Sequence, residues 1–217
     1  MIIVGLGYRD WALNIYVKLQ KLTSHKVIII RAESDFDYSV LHMLKPDFVL
    51  LYGWSWKIPS EVVSTHTCLM LHPSHLPKYR GGSPIQNQIL NGILDSKVSI
   101  FRATNEIDAG PILAQRPLSL RGDINEIFGR IERYGLQATF DILKGEYKTS
   151  NQRKEDASYY KRRNPSQSEI TFEELREASA VDIYNKVRCL QDPYPNAFIK
   201  MSDGSKLYLK SVSIDPD

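Results

Sequence analysis

Short apolar runs of strand length alternate with stretches of helical period along the first part of the chain. Residues 2–4, 27–30, 48–52, 68–71 and 98–102 are the apolar runs, and residues 11–22, 38–44, 60–64 and 85–90 are the helical stretches between them. Strands that read as unbroken apolar runs are buried on both faces, and strand–helix–strand connections are right-handed. The pattern therefore predicts an α/β domain with a mostly parallel sheet covered by helices on both sides. A longer stretch, residues 124–143, carries Ile124, Ile127, Ile131, Tyr134, Leu136 and Ile142 on one apolar stripe and closes a main domain over residues 1–150.

Residues 145–168 are polar and charged, most densely over 146–156, and are expected to cross the surface as a connecting segment. Beyond them, residues 170–172 are expected to form a strand and 181–190 a helix. Residues 197–201 and 207–212 flank Ser202-Asp203-Gly204-Ser205, where Asp-Gly between apolar runs is a hairpin signal. Residues 151–217 are thus expected to be a linker and a small β-rich C-terminal subdomain.

Composition narrows the class. A chain of 217 residues that is 42% hydrophobic and 24% charged is that of a soluble globular protein. Its apolar runs fall far short of the ~20 residues that cross a bilayer, and no charged leader precedes the first strand, so a cytoplasmic protein without a membrane partner is expected. Cys68 and Cys189 belong to no Cys-x-x-Cys pair and are expected to be ordinary reduced thiols. The net charge of +3 is too small an excess to predict a nucleic-acid partner.

Three segments carry candidate chemistry. Gly5-Leu6-Gly7 resembles the start of a dinucleotide fingerprint, but the third glycine position is Asp10, so a tight strand-to-helix turn is the expected role. In Leu71-His72-Pro73-Ser74-His75-Leu76-Pro77-Lys78-Tyr79-Arg80-Gly81-Gly82-Ser83-Pro84 a strand ends in a histidine and enters a loop stiffened by prolines. That puts His72 beyond the carboxyl end of a strand, where open α/β sheets bind ligands. His72 and His75 are alternatively metal ligands, but two histidines without a nearby third Asp, Glu or Cys make a weak zinc case, and no metal is expected. In Thr104-Asn105-Glu106-Ile107-Asp108-Ala109-Gly110-Pro111-Ile112-Leu113, Asp108 follows the strand 98–102 and is expected at the same carboxyl edge. An imidazole and a carboxylate converging there suit general acid–base transfer.

The run His72-Pro73-Ser74-x-Leu76-Pro77-x-Tyr79-Arg80-Gly81 and the later Asp108-x-Gly110-Pro111-Ile112-Leu113 resemble the signature of the 10-formyltetrahydrofolate-dependent formyltransferases. Tyr52-Gly53-Trp54-Ser55-Trp56-Lys57-Ile58-Pro59 is similar to the family's folate-pocket loop. Arg162-Arg163-x-Pro165 and Arg188-x-x-x-x-Pro193-Tyr194-Pro195-x-Ala197-Phe198 are similar to the linker and small domain of its sugar-nucleotide and tRNA members, and the sugar-nucleotide N-formyltransferases are the nearest in pattern. The resemblance implies a Rossmann-like formyltransferase domain, followed by a shortened relative of an OB-fold. It also implies 10-formyltetrahydrofolate as co-substrate without a metal, and an acceptor amine that attacks the formyl carbon. His72 and Asp108 would be catalytic. Trp54, Ser55, Trp56, Thr104, Asn105, Glu106, Ile107 and Asp108 would bind the pterin. Lys78, Tyr79, Arg80, Gly81, Gly82 and Arg163 would meet a nucleotide-linked amino sugar used for surface polysaccharide, with a homodimer as a compatible assembly. Methionyl-tRNA is the alternative acceptor, and a non-catalytic folate-binding protein the alternative class.

One position departs from the family pattern. The family's catalytic set includes an Asn two residues before the His, and this chain has Met70 there. A thioether donates no hydrogen bond to an oxyanion, so Asn87, in the helix after the rigid loop, is the candidate substitute donor.

Overall fold

The computed structural model describes residues 1–215. In chain order it contains β1 (Ile2–Leu6), α1 (Asp10–Leu22), β2 (Lys26–Ile30), α2 (Val40–Leu44), β3 (Phe48–Tyr52), α3 (Ser60–Thr65), β4 (Cys68–His72), β5 (Arg80–Gly81) and α4 (Pro84–Leu90). There follow β6 (Asp95–Arg102), β7 (Ile112–Ser119), α5 (Ile124–Leu143), β8 (Tyr159–Tyr160), α6 (Phe172–Glu177), α7 (Ala180–Cys189), β9 (Ala197–Lys200) and β10 (Lys206–Leu209). The main sheet has the order β2-β1-β3-β4-β6-β7. Its first four strands are parallel, β6 runs antiparallel to β4, and β7 runs antiparallel to β6.

Alternation along the central strands divides the core into two layers. Ile3, Leu50, Tyr52, Leu69 and Leu71 face one side, where Ile15 and Leu19 of α1 and Ile127 and Ile131 of α5 cover them. Val4, Leu6, Val49, Leu51 and Cys68 face the other, covered by Leu41 of α2 and Val62 of α3. The first layer runs without a break into Ile170, Val187, Cys189, Leu190 and Ala197 of the C-terminal segment. Arg188, buried on α7, ties that segment down by donating to the carbonyls of Leu120 and Gly122 before α5.

The glycine pair at the β1–α1 turn is explained by packing. A Cβ on Gly7 would lie 2.3 Å from the Tyr52 carbonyl oxygen, and one on Gly5 would enter the Tyr16 ring at 2.8 Å. One expectation fails here, and one strand went unread. Residues 170–172 do not form a strand: Ile170 donates to the Phe198 carbonyl beside a single bridge at Glu169, and Thr171 caps α6 through its hydroxyl. Strand β7 went unread because Gln115-Arg116-Pro117 interrupts its apolar pattern. It is the edge strand, where a proline lacking an N–H is tolerated.

Candidate active site

β1 is followed by β2 on one side and β3 on the other, so the crevice beyond the carboxyl ends of β1 and β3 is the topological switch point. His72 closes β4, the next strand over. Met70 and His72 are two residues apart on β4 and therefore share the face that bears α2 and α3.

His72 and Asp108 meet, but not by the expected route. β6 is antiparallel to β4, pairing His72 with Ser99 and Leu69 with Arg102, so its carboxyl end lies at the opposite edge from that of β4. The loop of residues 103–111 folds back along β4 to bring Asp108 to His72. Their Nδ1 and Oδ2 atoms are 3.6 Å apart, and both side chains are buried. Asp108 adopts a left-handed backbone conformation, with φ +49°. Its Oδ2 also accepts from the Gly81 amide at 2.7 Å.

The other imidazole nitrogen, Nε2, is 2.7 Å from the Tyr79 carbonyl oxygen. A carbonyl only accepts, so Nε2 carries a proton, and Nδ1 is the nitrogen that faces the carboxylate. Each imidazole nitrogen thus faces an oxygen acceptor. His75 has no such setting: partial burial and the charges of Lys97 and Lys78 lower its pKa.

The loop from Pro73 to Gly82 is held by donors that match its carbonyls one by one. Gln88 donates to Pro73, Ser99 to Ser74, Gln115 to Leu76 and the Ser74 hydroxyl to Lys78. From the segment expected to be only a connector, Ser158 receives the Tyr79 amide on its hydroxyl and the Arg80 amide on its carbonyl, and the Tyr160 carbonyl receives Gly82. β5 and β8 thereby pair in parallel. These partners carry no motif, because a serine in a polar stretch has no distinguishing spacing.

The structure sorts the remaining candidates. Arg80 is 2% exposed, and its guanidinium donates to Gln152 and to the Tyr159 hydroxyl. Arg163 donates to the Gln167 carbonyl. Tyr79 stacks on Tyr160 with ring centroids 4.8 Å apart, both hydroxyls reached by Asn91. Lys78 is exposed, and Gly82 lies so close to Arg162 that a Cβ would be 2.3 Å from its Cα. Thr104, Asn105, Glu106 and Ile107 form the exposed part of the Asp108 loop. Trp54 is buried against Trp56 at 4.6 Å, in the same apolar layer as Ala103 at the start of that loop. Met70 packs among Leu76, Phe101 and Ile112. The Asn87 amide donates to the Gly82 carbonyl at 2.9 Å.

Sequence reading missed Tyr8 and Arg9 of the β1–α1 turn. The Tyr8 hydroxyl is 2.7 Å from Ser55 Oγ, its ring meets Trp56 at 5.1 Å, and Arg162 donates to the same Ser55 oxygen. Arg9 lies over the Tyr8 and Tyr194 rings, 5.0 Å from each centroid. Neither Arg9 nor Arg162 has a carboxylate partner among the described residues. No group of three His, Cys, Asp or Glu among those residues is placed to hold a metal, and no helix there is long and apolar enough to cross a membrane.

Comparison with known proteins identifies relatives of this chain. A family model described as formyl transferase matches residues 20–125. The methionyl-tRNA formyltransferase of Nitratiruptor sp. is 31% identical over 179 residues, which are 81% of this chain and 57% of that protein. The chain thus spans little more than half the length of the curated relatives it matches. The structure of a methionyl-tRNA formyltransferase from Clostridium thermocellum superposes with a TM-score of 0.84 at 30% identity, over 96% of each chain. A 4-N formyltransferase from Francisella tularensis shares the fold, with a TM-score of 0.79 at 16% identity over 100% of this chain and 98% of that one. With His72 and Asp108 brought together in a fold matched along nearly its whole length, the chain belongs to the formyl transferase family.

Proposed function

We propose that this protein transfers the formyl group of 10-formyltetrahydrofolate to an amine. The observation that carries the reading is the buried His72–Asp108 pair, with an acceptor at each imidazole nitrogen and the carboxylate anchored on the Gly81 amide. The acceptor nitrogen attacks the formyl carbon, a C–N bond forms, and the carbonyl electrons move onto oxygen. His72 stabilises that oxyanion in a site shielded from water. Asp108 takes the proton lost by the amine and passes one to N10 of the folate as the old C–N bond breaks, leaving a formamide and tetrahydrofolate. The Trp54, Ser55 and Trp56 loop and the residues from Thr104 to Asp108 are the proposed pterin contacts.

The acceptor we favour is an amino sugar carried on a nucleotide. Arg9 and Arg162 support this, because two guanidiniums without carboxylate partners among the described residues flank an aromatic pair, Tyr8 and Trp56, at the switch-point crevice. Guanidiniums suit a pyrophosphate and ring faces suit a base. Methionyl-tRNA is the second reading, favoured by the names of the relatives at about 30% identity. The test is incubation with 10-formyltetrahydrofolate and either a panel of amino-sugar nucleotides or methionyl-tRNA, scored by the mass gain of one CO. Formylation of an amino-sugar nucleotide supports the first reading, and efficient formylation of methionyl-tRNA alone replaces it. Transfer to neither class, with folate bound, leaves the non-catalytic reading.

A further inference from the structure

Gln152 lies in the polar segment between α5 and β8, yet its side chain touches both halves of the site. Its Nε2 donates to the carbonyls of Asp108 at 2.9 Å and Gly110 at 2.7 Å. Its Oε1 accepts from Arg80 Nε at 3.0 Å and Nη2 at 2.7 Å. The amide orientation is unambiguous, because a guanidinium only donates and backbone carbonyls only accept.

Arg80 is the hub of the opposite half. It stands between Tyr79, whose carbonyl holds His72, and Gly81, whose amide holds Asp108. Its charge is buried, has no carboxylate partner among the described residues, and is balanced by Gln152, the Tyr159 hydroxyl at 2.5 Å and the Tyr159 ring at 5.3 Å. A guanidinium on Oε1 polarises the amide and strengthens the two bonds donated by Nε2. Those bonds fall on a turn that needs support: a left-handed conformation disfavours a residue with a Cβ, and Asp108 has φ +49°.

We infer that Gln152 is a positioning residue for the His72–Asp108 pair, holding the Asp108 turn where its carboxylate meets the imidazole. Polar contacts hold Asp108 at two points, the Gly81 amide on its carboxylate and Gln152 on its carbonyl. Without the second, the 103–111 loop can swing away from β4 while His72 stays in place.

The kinetic part of the test rests on the formyl-transfer reading, and the structural part does not. In Gln152→Glu the side chain still accepts from Arg80 and gives that charge a carboxylate, but it turns oxygen toward the carbonyls of Asp108 and Gly110. The expected result is a thermal midpoint at or above that of the parent, unchanged KM for both substrates, and kcat lower by about 10²-fold, the size of a small misplacement of a catalytic group. Hydrogen exchange measured by mass spectrometry should quicken over residues 104–112 and not over β4. Gln152→Ala should show the same kcat loss with a lower thermal midpoint, because Arg80 loses its acceptor. Parental kcat and parental exchange in Gln152→Glu overturn the inference. So does a kcat loss in that variant that only tracks a lowered thermal midpoint. If the parent transfers formyl to no acceptor, the functional reading fails by itself, and the exchange difference alone then decides the role of Gln152.

Discussion

Asp108 reaches His72 from an antiparallel strand. Their side chains stand 3.6 Å apart although β4 and β6 run in opposite directions, because the loop after β6 doubles back over the strand it has just passed. A carboxylate delivered by a loop and an imidazole delivered by a strand end have different supports, yet both are expected at the reacting centre.

His72→Ala and Asp108→Asn should each lower kcat by about 10²-fold or more, the usual contribution of a general acid–base group. Both should leave the far-ultraviolet circular dichroism of the parent. Near-parental turnover in either variant removes that residue from the chemistry.

Met70 sits two residues before His72 on the same strand face, packed among Leu76, Phe101 and Ile112. If Asn87 supplies the missing amide, it does so with the N–H not donated to Gly82. Asn87→Ala should then lower kcat by about 10²-fold with little change in folate affinity, the pattern for losing one oxyanion donor. Met70→Asn should partly restore it. Parental kcat in Asn87→Ala limits that side chain to holding the Gly82 turn.

Arg9→Ala and Arg162→Ala should each raise KM for a nucleotide-linked acceptor by roughly tenfold, about 1.4 kcal/mol, with unchanged KM for the folate. Added salt should shrink the difference. An acceptor KM indifferent to both substitutions puts the anion elsewhere.

Burial pushes the thiols of Cys68 and Cys189 up to about 12. At pH 8 only about 10⁻⁴ of each is thiolate, so the native protein should resist alkylation that modifies both cysteines after unfolding. Burial likewise raises the phenols of Tyr16 and Tyr52. The unfolded chain releases these protons first, from about pH 8.5 for thiols and about 10 for phenols, so above pH 8.5 it binds fewer protons than the native state. Stability measured by urea unfolding should therefore be level with respect to these groups below that pH and fall progressively above it. A rise in stability between pH 9 and 11 would contradict this assignment.

The sequence alone determined the four parallel strands of the sheet, their covering helices, the C-terminal hairpin and the position of His72. Each of these depends on local pattern: apolar runs buried on both faces, helical period, Asp-Gly turn chemistry, and a histidine where a strand gives way to a proline-rich loop. Tertiary structure decided what pattern does not encode. The direction of β6 is a matter of which neighbour it pairs with, and that reversed the edge on which the Asp108 loop begins. Arg80 reads as a ligand-binding cation until its surroundings show it buried on Gln152, and Gln152 and Ser158 read as surface polar residues until the chain returns over the site. A hydrogen-bond partner brought from seventy or more residues away obeys no local spacing, so only the folded chain reveals which group it meets.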